Sequence, residues 1–180
     1  GVERELTALY SDFIVDVPEL KKEVTFQNSK KIKIHNWFQY MQGYSPGLLE
    51  HYFRQWSADK KEKFLDPFVG SGTSLVYAQQ SGFNSEGWDI SPLAVNLAIT
   101  KTTDVKGLDF DALILEMENK SIVLNVDEEL KKYPKQIAKH LEKSFKINVL
   151  KDIFEIRNAI ENVDCEKLKR FCLIAFMSTL

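Results

Sequence analysis

Asp66, Gly70, Gly72 and Asp89 are the residues of this 180-residue chain whose types and spacing could do chemistry. Three of them belong to one run, Phe64-Leu65-Asp66-Pro67-Phe68-Val69-Gly70-Ser71-Gly72-Thr73, in which two apolar residues lead into an acid, a proline and two glycines flanking a serine. A helix-compatible stretch, Ser74-Leu75-Val76-Tyr77-Ala78-Gln79-Gln80, follows. A strand ending in such a turn lets backbone N–H groups approach a small molecule with no side chain in the way. The helix it opens adds unpaired N–H groups and a partial positive charge, suited to a carboxylate or a phosphate. Asp89 ends a second candidate strand, 84–88, and its carboxylate can accept two hydrogen bonds from a ribose diol. It follows Asp66 by on the order of 20 residues, the separation that dinucleotide folds also use. The turn is not G-x-G-x-x-G, and no Gly-Lys-[Ser/Thr] occurs, which excludes a P-loop and disfavours a nicotinamide site.

The elements that must position these residues can be read on either side of them. Residues 3–12 fit a short amphipathic helix, and 24–35 alternate at Lys31-Ile32-Lys33-Ile34, which predicts a strand. Ser45-Pro46 is a helix start, with serine as cap and proline at the first helical position. Leu48, Leu49, Tyr52, Phe53 and Trp56 then recur at helical spacing. Phe64-Leu65 begins a buried strand, Gly72 to Ser81 is a helix, and Gly82 stands where a helix-ending glycine belongs. Ser91-Pro92 starts another helix by the same cap logic. After Thr102 the stretches 109–119, 127–143, 149–162 and 165–180 read as helices, while 121–126 is ambiguous between strand and loop.

Hydrophobic residues make up 44% and charged residues 28%, an ordinary globular balance for one domain. No apolar run approaches the roughly 20 residues that span a bilayer, and the start of the chain lacks a basic, then apolar, leader. The sequence opens on Gly1 rather than Met, which we read as a trimmed tag or an internal start. Cys165 and Cys172 share one expected helix about two turns (~10 Å) apart, too far for a disulfide. They read as buried core thiols in a reducing, cytoplasmic protein. A net charge of −2 does not advertise nucleic-acid binding. Local runs do more: Lys21, Lys22, Lys30, Lys31 and Lys33 form one basic patch. Lys132, Lys135, Lys139, Lys143 and Lys146 recur every three or four residues along one expected helix face. Such a face is either solvated or set against phosphates.

The run at 66–73 resembles the S-adenosylmethionine motif of the amino-group DNA methyltransferases, which methylate N6 of adenine or N4 of cytosine. In that family D-P-F-x-G-S-G-T follows the first strand, and an acid ends the second, often as D-I-S/N-P; this chain has Asp89-Ile90-Ser91-Pro92. The segment His35-Asn36-Trp37-Phe38-Gln39-Tyr40-Met41-Gln42-Gly43-Tyr44-Ser45-Pro46 resembles, more loosely, the family's accessory cofactor motif. There an aromatic-rich loop and a helix-capping hydroxyl close over the methionine end of the cofactor. The resemblance covers about residues 35–102 and implies S-adenosylmethionine as cofactor. It implies that Tyr44 and Ser45 help close the site and that Asp66, with Pro67, orients the turn and faces the amino end of the methionine. Phe68 would lie along the cofactor, Gly70, Ser71 and Gly72 would give backbone approach, and Thr73 would help hold the carboxylate. Asp89, with Ser91 beside it, would bind the ribose hydroxyls, and Ile90 would pack on the adenine ring. No metal is implied.

The family's catalytic loop is [Asp/Asn/Ser]-Pro-Pro-[Tyr/Phe/Trp], and the five prolines here, Pro18, Pro46, Pro67, Pro92 and Pro134, are all isolated. The resemblance therefore implies a binding portion, with catalysis supplied by a C-terminal half or a companion subunit. The apolar end at 171–180 fits a helix that docks on that half. The expected fold is α/β: a partial Rossmann-like class I methyltransferase fold, a βαβα core with a mostly helical C-terminal third, truncated before the catalytic strand. The expected organisation is an N-terminal extension at 1–34, the cofactor half at 35–102 and a helical insertion or interaction region at 103–180. DNA would be the macromolecular partner through the full-length protein, with Lys135, Lys139 and Lys143 as its phosphate contacts, and no membrane is involved. An RNA methyltransferase of the guanine-N2 type and a non-catalytic subunit of a DNA modification complex are the alternatives.

Overall fold

The computed structural model describes residues 2–120 and 122–180. The chain divides into two compact units, residues 1–102 and 103–180.

The first unit is mixed α/β. It opens with α1 (Val2–Leu9), then a series of short 3-10 turns, then α2 (Pro46–Trp56). A β-α-β sequence follows: β1 (Lys63–Asp66), α3 (Thr73–Ser81) and β2 (Asn84–Gly87), ahead of α4 (Pro92–Thr102). The two strands pair in parallel, Lys63 opposite Asn84 through Asp66 opposite Gly87. A parallel ladder needs a crossover between its strands, and α3 supplies it. The pairing runs on into the turn: Trp88 N–H donates to Asp66 O at 2.8 Å, and Val69 N–H donates to Trp88 O at 2.9 Å. Both strands thus end at the same edge, with Asp66 closing β1 and Asp89 following β2. The core comprises Val76, Ala78, Ala94, Leu97 and Ala98 from α3 and α4, with Phe53 of α2 ringed by Phe64, Tyr77 and Phe83 at 4.9–5.3 Å between centroids.

Two expectations for this unit are corrected. Residues 24–35 form no strand; 3-10 turns at Asn28–Lys31 and His35–Trp37 occupy the stretch. The alternation that favoured a strand is only four residues long and, among the described residues, has no strand to pair with. β1 is also less buried than its apolar letters imply, since Leu65 is half exposed.

The second unit is helical: α5 (Phe110–Lys120), α6 (Val126–Lys131), α7 (Lys135–Ser144), α8 (Ile147–Glu161) and α9 (Glu166–Met177). One cluster gathers Val126, Leu130, Leu150 and Phe154, with Tyr133, Leu141 and Phe145 against it. A second gathers Leu113, Val163 and Leu168 with Met117 and the two cysteines, which are free and half-buried rather than fully buried. The helix expected at 127–143 is two helices. Pro134 lacks an N–H and disfavours a helical Tyr133, so the chain breaks there and restarts at Lys135. In the ambiguous stretch, Ser121 lies outside the described residues and 122–125 are irregular. The Asn125 side chain caps α6, accepting from Asp127 N–H at 2.9 Å and Glu128 N–H at 3.3 Å. Among the described residues no helix is long and apolar enough to cross a membrane, and no cluster of three His, Cys, Asp or Glu could hold a metal ion.

Candidate functional site

Gly72 shows why the turn is built as it is. Its φ is +83°, and a Cβ there would lie 2.7 Å from the Cα of Ala98. The start of α3 therefore sits directly on the backbone of α4, a distance and a conformation that only glycine permits. Gly70 has φ +49°, and a Cβ there would lie 3.3 Å from the Tyr40 ring.

Two carboxylates hold this turn in place. Asp66 accepts from Phe68 N–H at 2.9 Å with one oxygen and from the Ser74 hydroxyl with the other. Asp89 Oδ2 accepts from Gly70 N–H at 2.9 Å, and Oδ1 accepts from Ser91 N–H at 2.8 Å. These backbone donors hold the Asp89 carboxyl below the usual carboxylate range. The acid ending β2 is thus tied to the glycine turn after β1, and the two motifs form one structure. Each Asp89 oxygen retains a lone pair. Beside it Ile90 is fully exposed and Phe68 is 84% exposed, an uncovered apolar shelf at the strand ends. Pro67 is exposed on the same turn, while Ser71 and Thr73 are buried. The Ser91 hydroxyl accepts from Ala94 N–H at 3.4 Å and so caps α4.

A cavity of about 130 Å³ opens on the other side of the turn, lined by Ser71 and Thr73 and by the loop carrying His35, Phe38, Tyr40 and Tyr44. Burial and the nearby Asp66 charge push the Tyr44 phenol up to about 12, so it stays protonated. Ser45 behaves differently from its expected role as a helix-capping hydroxyl. It is fully buried, and its hydroxyl donates to Thr25 O at 2.7 Å instead of accepting from α2. The residues before α2 fold back across the helix start, and the nearer carbonyl takes the hydroxyl.

His35 and Lys101 were not singled out from the sequence. His35 is 4% exposed, and neither ring nitrogen has a hydrogen-bond partner among the described residues. Lys101 is 3% exposed and donates to the His35 carbonyl at 3.4 Å. Burial, with the Lys101 charge second, pushes His35 down to about 4, and burial pushes Lys101 down to about 8. A lysine closing the mostly apolar run 94–100 was a legible signal, and His35 stands first in the accessory segment, though nothing there marked its ring. Lys135, Lys139 and Lys143 lie on α7 in the second unit, all exposed. Lys132 and Lys146 leave that face because the chain breaks: Lys132 pairs with Glu129, and Lys146 precedes α8.

Over 74 residues the chain is 39% identical to the Type II methyltransferase M.BsoBI of Geobacillus stearothermophilus. Over 131 residues it is 31% identical to M.MjaII of Methanocaldococcus jannaschii, and over 158 residues 28% identical to M.MvaI of Kocuria varians. The chain is homologous to the Type II methyltransferases. This is the family that residues 66–73 and 89–92 resemble. The matches cover 41%, 71% and 85% of this chain, but only 14%, 24% and 35% of those methyltransferases. No family model and no solved structure matches.

Proposed function

We propose that the first unit binds S-adenosylmethionine as the cofactor portion of a methyltransferase acting on an exocyclic amino group of adenine or cytosine in DNA. The observation that carries this reading is the Asp89 to Gly70 hydrogen bond, which puts a diol-binding acid and a glycine turn at one strand edge. The arrangement follows the rule that ligands of open α/β sheets sit outside the carboxyl ends of the strands, and the fold is read as part of a Rossmann-like sheet. The residues present fit the cofactor. Asp89 keeps lone pairs for ribose hydroxyls, and Ile90 and Phe68 offer uncovered apolar surface for an adenine ring. The first turn of α3 and the cavity beside it offer Ser71, Thr73 and Tyr44 to a polar tail. When bound, S-adenosylmethionine supplies a methyl group on a positively charged sulfur. Asp66 keeps the turn in shape through Phe68 and Ser74.

No Pro-Pro pair occurs in these 180 residues. The catalytic loop would therefore come from a C-terminal half or a companion subunit, and this portion alone would transfer no methyl group to duplex DNA. Calorimetry with S-adenosylhomocysteine tests the binding claim. Asp89→Ala is expected to weaken binding at least tenfold, because it removes the diol acceptor and frees Gly70. Asp89→Asn, which keeps one acceptor oxygen, should lose less. Undiminished affinity in Asp89→Ala would take the acid out of the site.

A further inference from the structure

Residues 20–48 carry five lysines, Lys21, Lys22, Lys30, Lys31 and Lys33, against a single acid, Glu23, a formal charge of +4 in a chain whose total is −2. All five lysines are exposed, and none forms an ion pair among the described residues. Glu23 does not neutralise them. One of its oxygens accepts from the Asn28 amide, and the other stands at the first turn of α2, 2.5 Å from where a Cβ on Gly47 would lie. There the partial positive charge of the helix start answers the acid.

The lysines are carried by two 3-10 turns, Pro18–Lys22 and Asn28–Lys31, and by Lys33 just beyond. Each turn has one buried anchor, Leu20 in the first and Ser29 in the second. Both turns are tied to the residues that open α2. Ser45 N–H donates to Glu23 O at 2.8 Å, the Ser45 hydroxyl donates to Thr25 O at 2.7 Å, and the Ser29 hydroxyl donates to Tyr44 O at 3.4 Å. The two lysine runs are thus fixed to one point of the scaffold, and like charges gathered there without counter-charge repel one another until a polyanion covers them. Lys30 sets the position of the patch: its ammonium lies 4.8 Å from the centre of the Phe26 ring, and with Ser71 and Thr73 it lines the cavity at the start of α3. The positive face therefore borders the strand edge to which the methyl donor is assigned above. A macromolecule presented to that edge meets these lysines, and several unpaired ammonium groups suit a row of phosphates.

We propose that the turns over residues 18–33 form a phosphate-binding face that lays duplex DNA beside the cavity at the start of α3. The choice of DNA as the polyanion rests on the methyltransferase reading above. The face belongs to the first unit, whereas Lys135, Lys139 and Lys143 belong to the second. Fluorescence anisotropy of this chain on a labelled duplex, over a range of salt concentrations, tests it with a variant in which Lys21, Lys22, Lys31 and Lys33 are all changed to glutamine. Each phosphate contact contributes about 0.9 to the slope of log affinity against log salt, so the variant should lose about 3 of that slope and at least tenfold in affinity at low salt. Its affinity for S-adenosylhomocysteine should stay within twofold of wild type, since none of the four lysines lines the cavity. An unchanged slope, or wild type that binds no duplex, overturns the proposal and leaves the cofactor reading to its own titration. Single-stranded RNA bound tenfold more tightly than the duplex also overturns it. Lysine acetylation of wild type, read by mass spectrometry, is independent of the variant's folding. The duplex should protect Lys21, Lys22, Lys31 and Lys33 and leave the exposed Lys60 and Lys61 reactive; Lys60 stands near Gly82, at the far end of α3. Labelling of the first four that is the same with and without duplex would overturn the proposal.

Discussion

At the scale of single residues, Gly72 is the tightest constraint in the site. An alanine there must adopt φ +83° and place its Cβ 2.7 Å from the backbone of Ala98, so α3 and α4 would have to separate. Gly72→Ala should lower unfolding free energy by about 2–4 kcal/mol, combining backbone strain with overpacking. Urea denaturation checks it; a loss under about 0.5 kcal/mol would mean that the helices have room to move apart. The two glycines and the two acids were legible in the sequence because the signals that mark them are local, a glycine pair between a strand and a helix start and an acid after a strand, although their partners lie far along the chain, Ala98 for Gly72 and Asp89 for Gly70. Ser45 was legible as a helix boundary but not as a side chain, because its acceptor, Thr25 O, lies 20 residues away. His35 was legible only as the first residue of the accessory segment; its bare ring was not, since a ring without a partner is a property of the packed cavity.

Elements divide along the same line. β1, α3 and α4 follow from apolar residues, a serine cap and glycines that each act within a few residues, while β2, Asn-Ser-Glu-Gly, is placed mainly by its neighbours, Gly82 before it and Asp89 after it. The strand expected at 24–35 failed because a strand is made by its partner, and none pairs with it among the described residues. The helix expected at 127–143 failed at Pro134, a breaker that the lysine periodicity overrode. That break sharpens the case of α7. Lys135, Lys139 and Lys143 remain on one exposed face, with no ion pair among the described residues, while Ala138 and Leu141 turn to the apolar cluster. If this face meets DNA, each lysine releases about one counterion on binding. Replacing all three with glutamine should reduce the slope of log affinity against log salt by about 2–3, measured by anisotropy on duplex DNA in the full-length protein. An unchanged slope would make α7 a solvated face. Thermal stability should hardly change, since the three side chains are exposed.

On the scale of the whole molecule, a net charge of −2 hides two bases buried where charge is costly. Both have folded-state values below their ordinary ones, so both weaken the fold when the unfolded chain can take up a proton that the folded chain resists. For His35, stability is complete above pH 6.5 and falls as pH drops toward about 4. For Lys101, the window runs from 10.5 down to about 8, and below it the full penalty of the buried cation is present. Lys101→Met removes that penalty and keeps most of the side-chain volume. It also lets the His35 value rise part of the way back, because the lysine charge is the smaller of the two causes holding it down. The variant's stability relative to wild type should therefore be greater at pH 8 than at pH 9.5 by about 1.5 kcal/mol, after allowing for partial solvent screening. Urea midpoints at the two values measure it, and the upper value stays below the range where Tyr44, raised to about 12, begins to contribute through its unfolded form near pH 10. Other titrating groups cancel in the comparison of variant with wild type at each pH. A difference that stays constant between pH 8 and 9.5 would mean that Lys101 keeps its charge in contact with water.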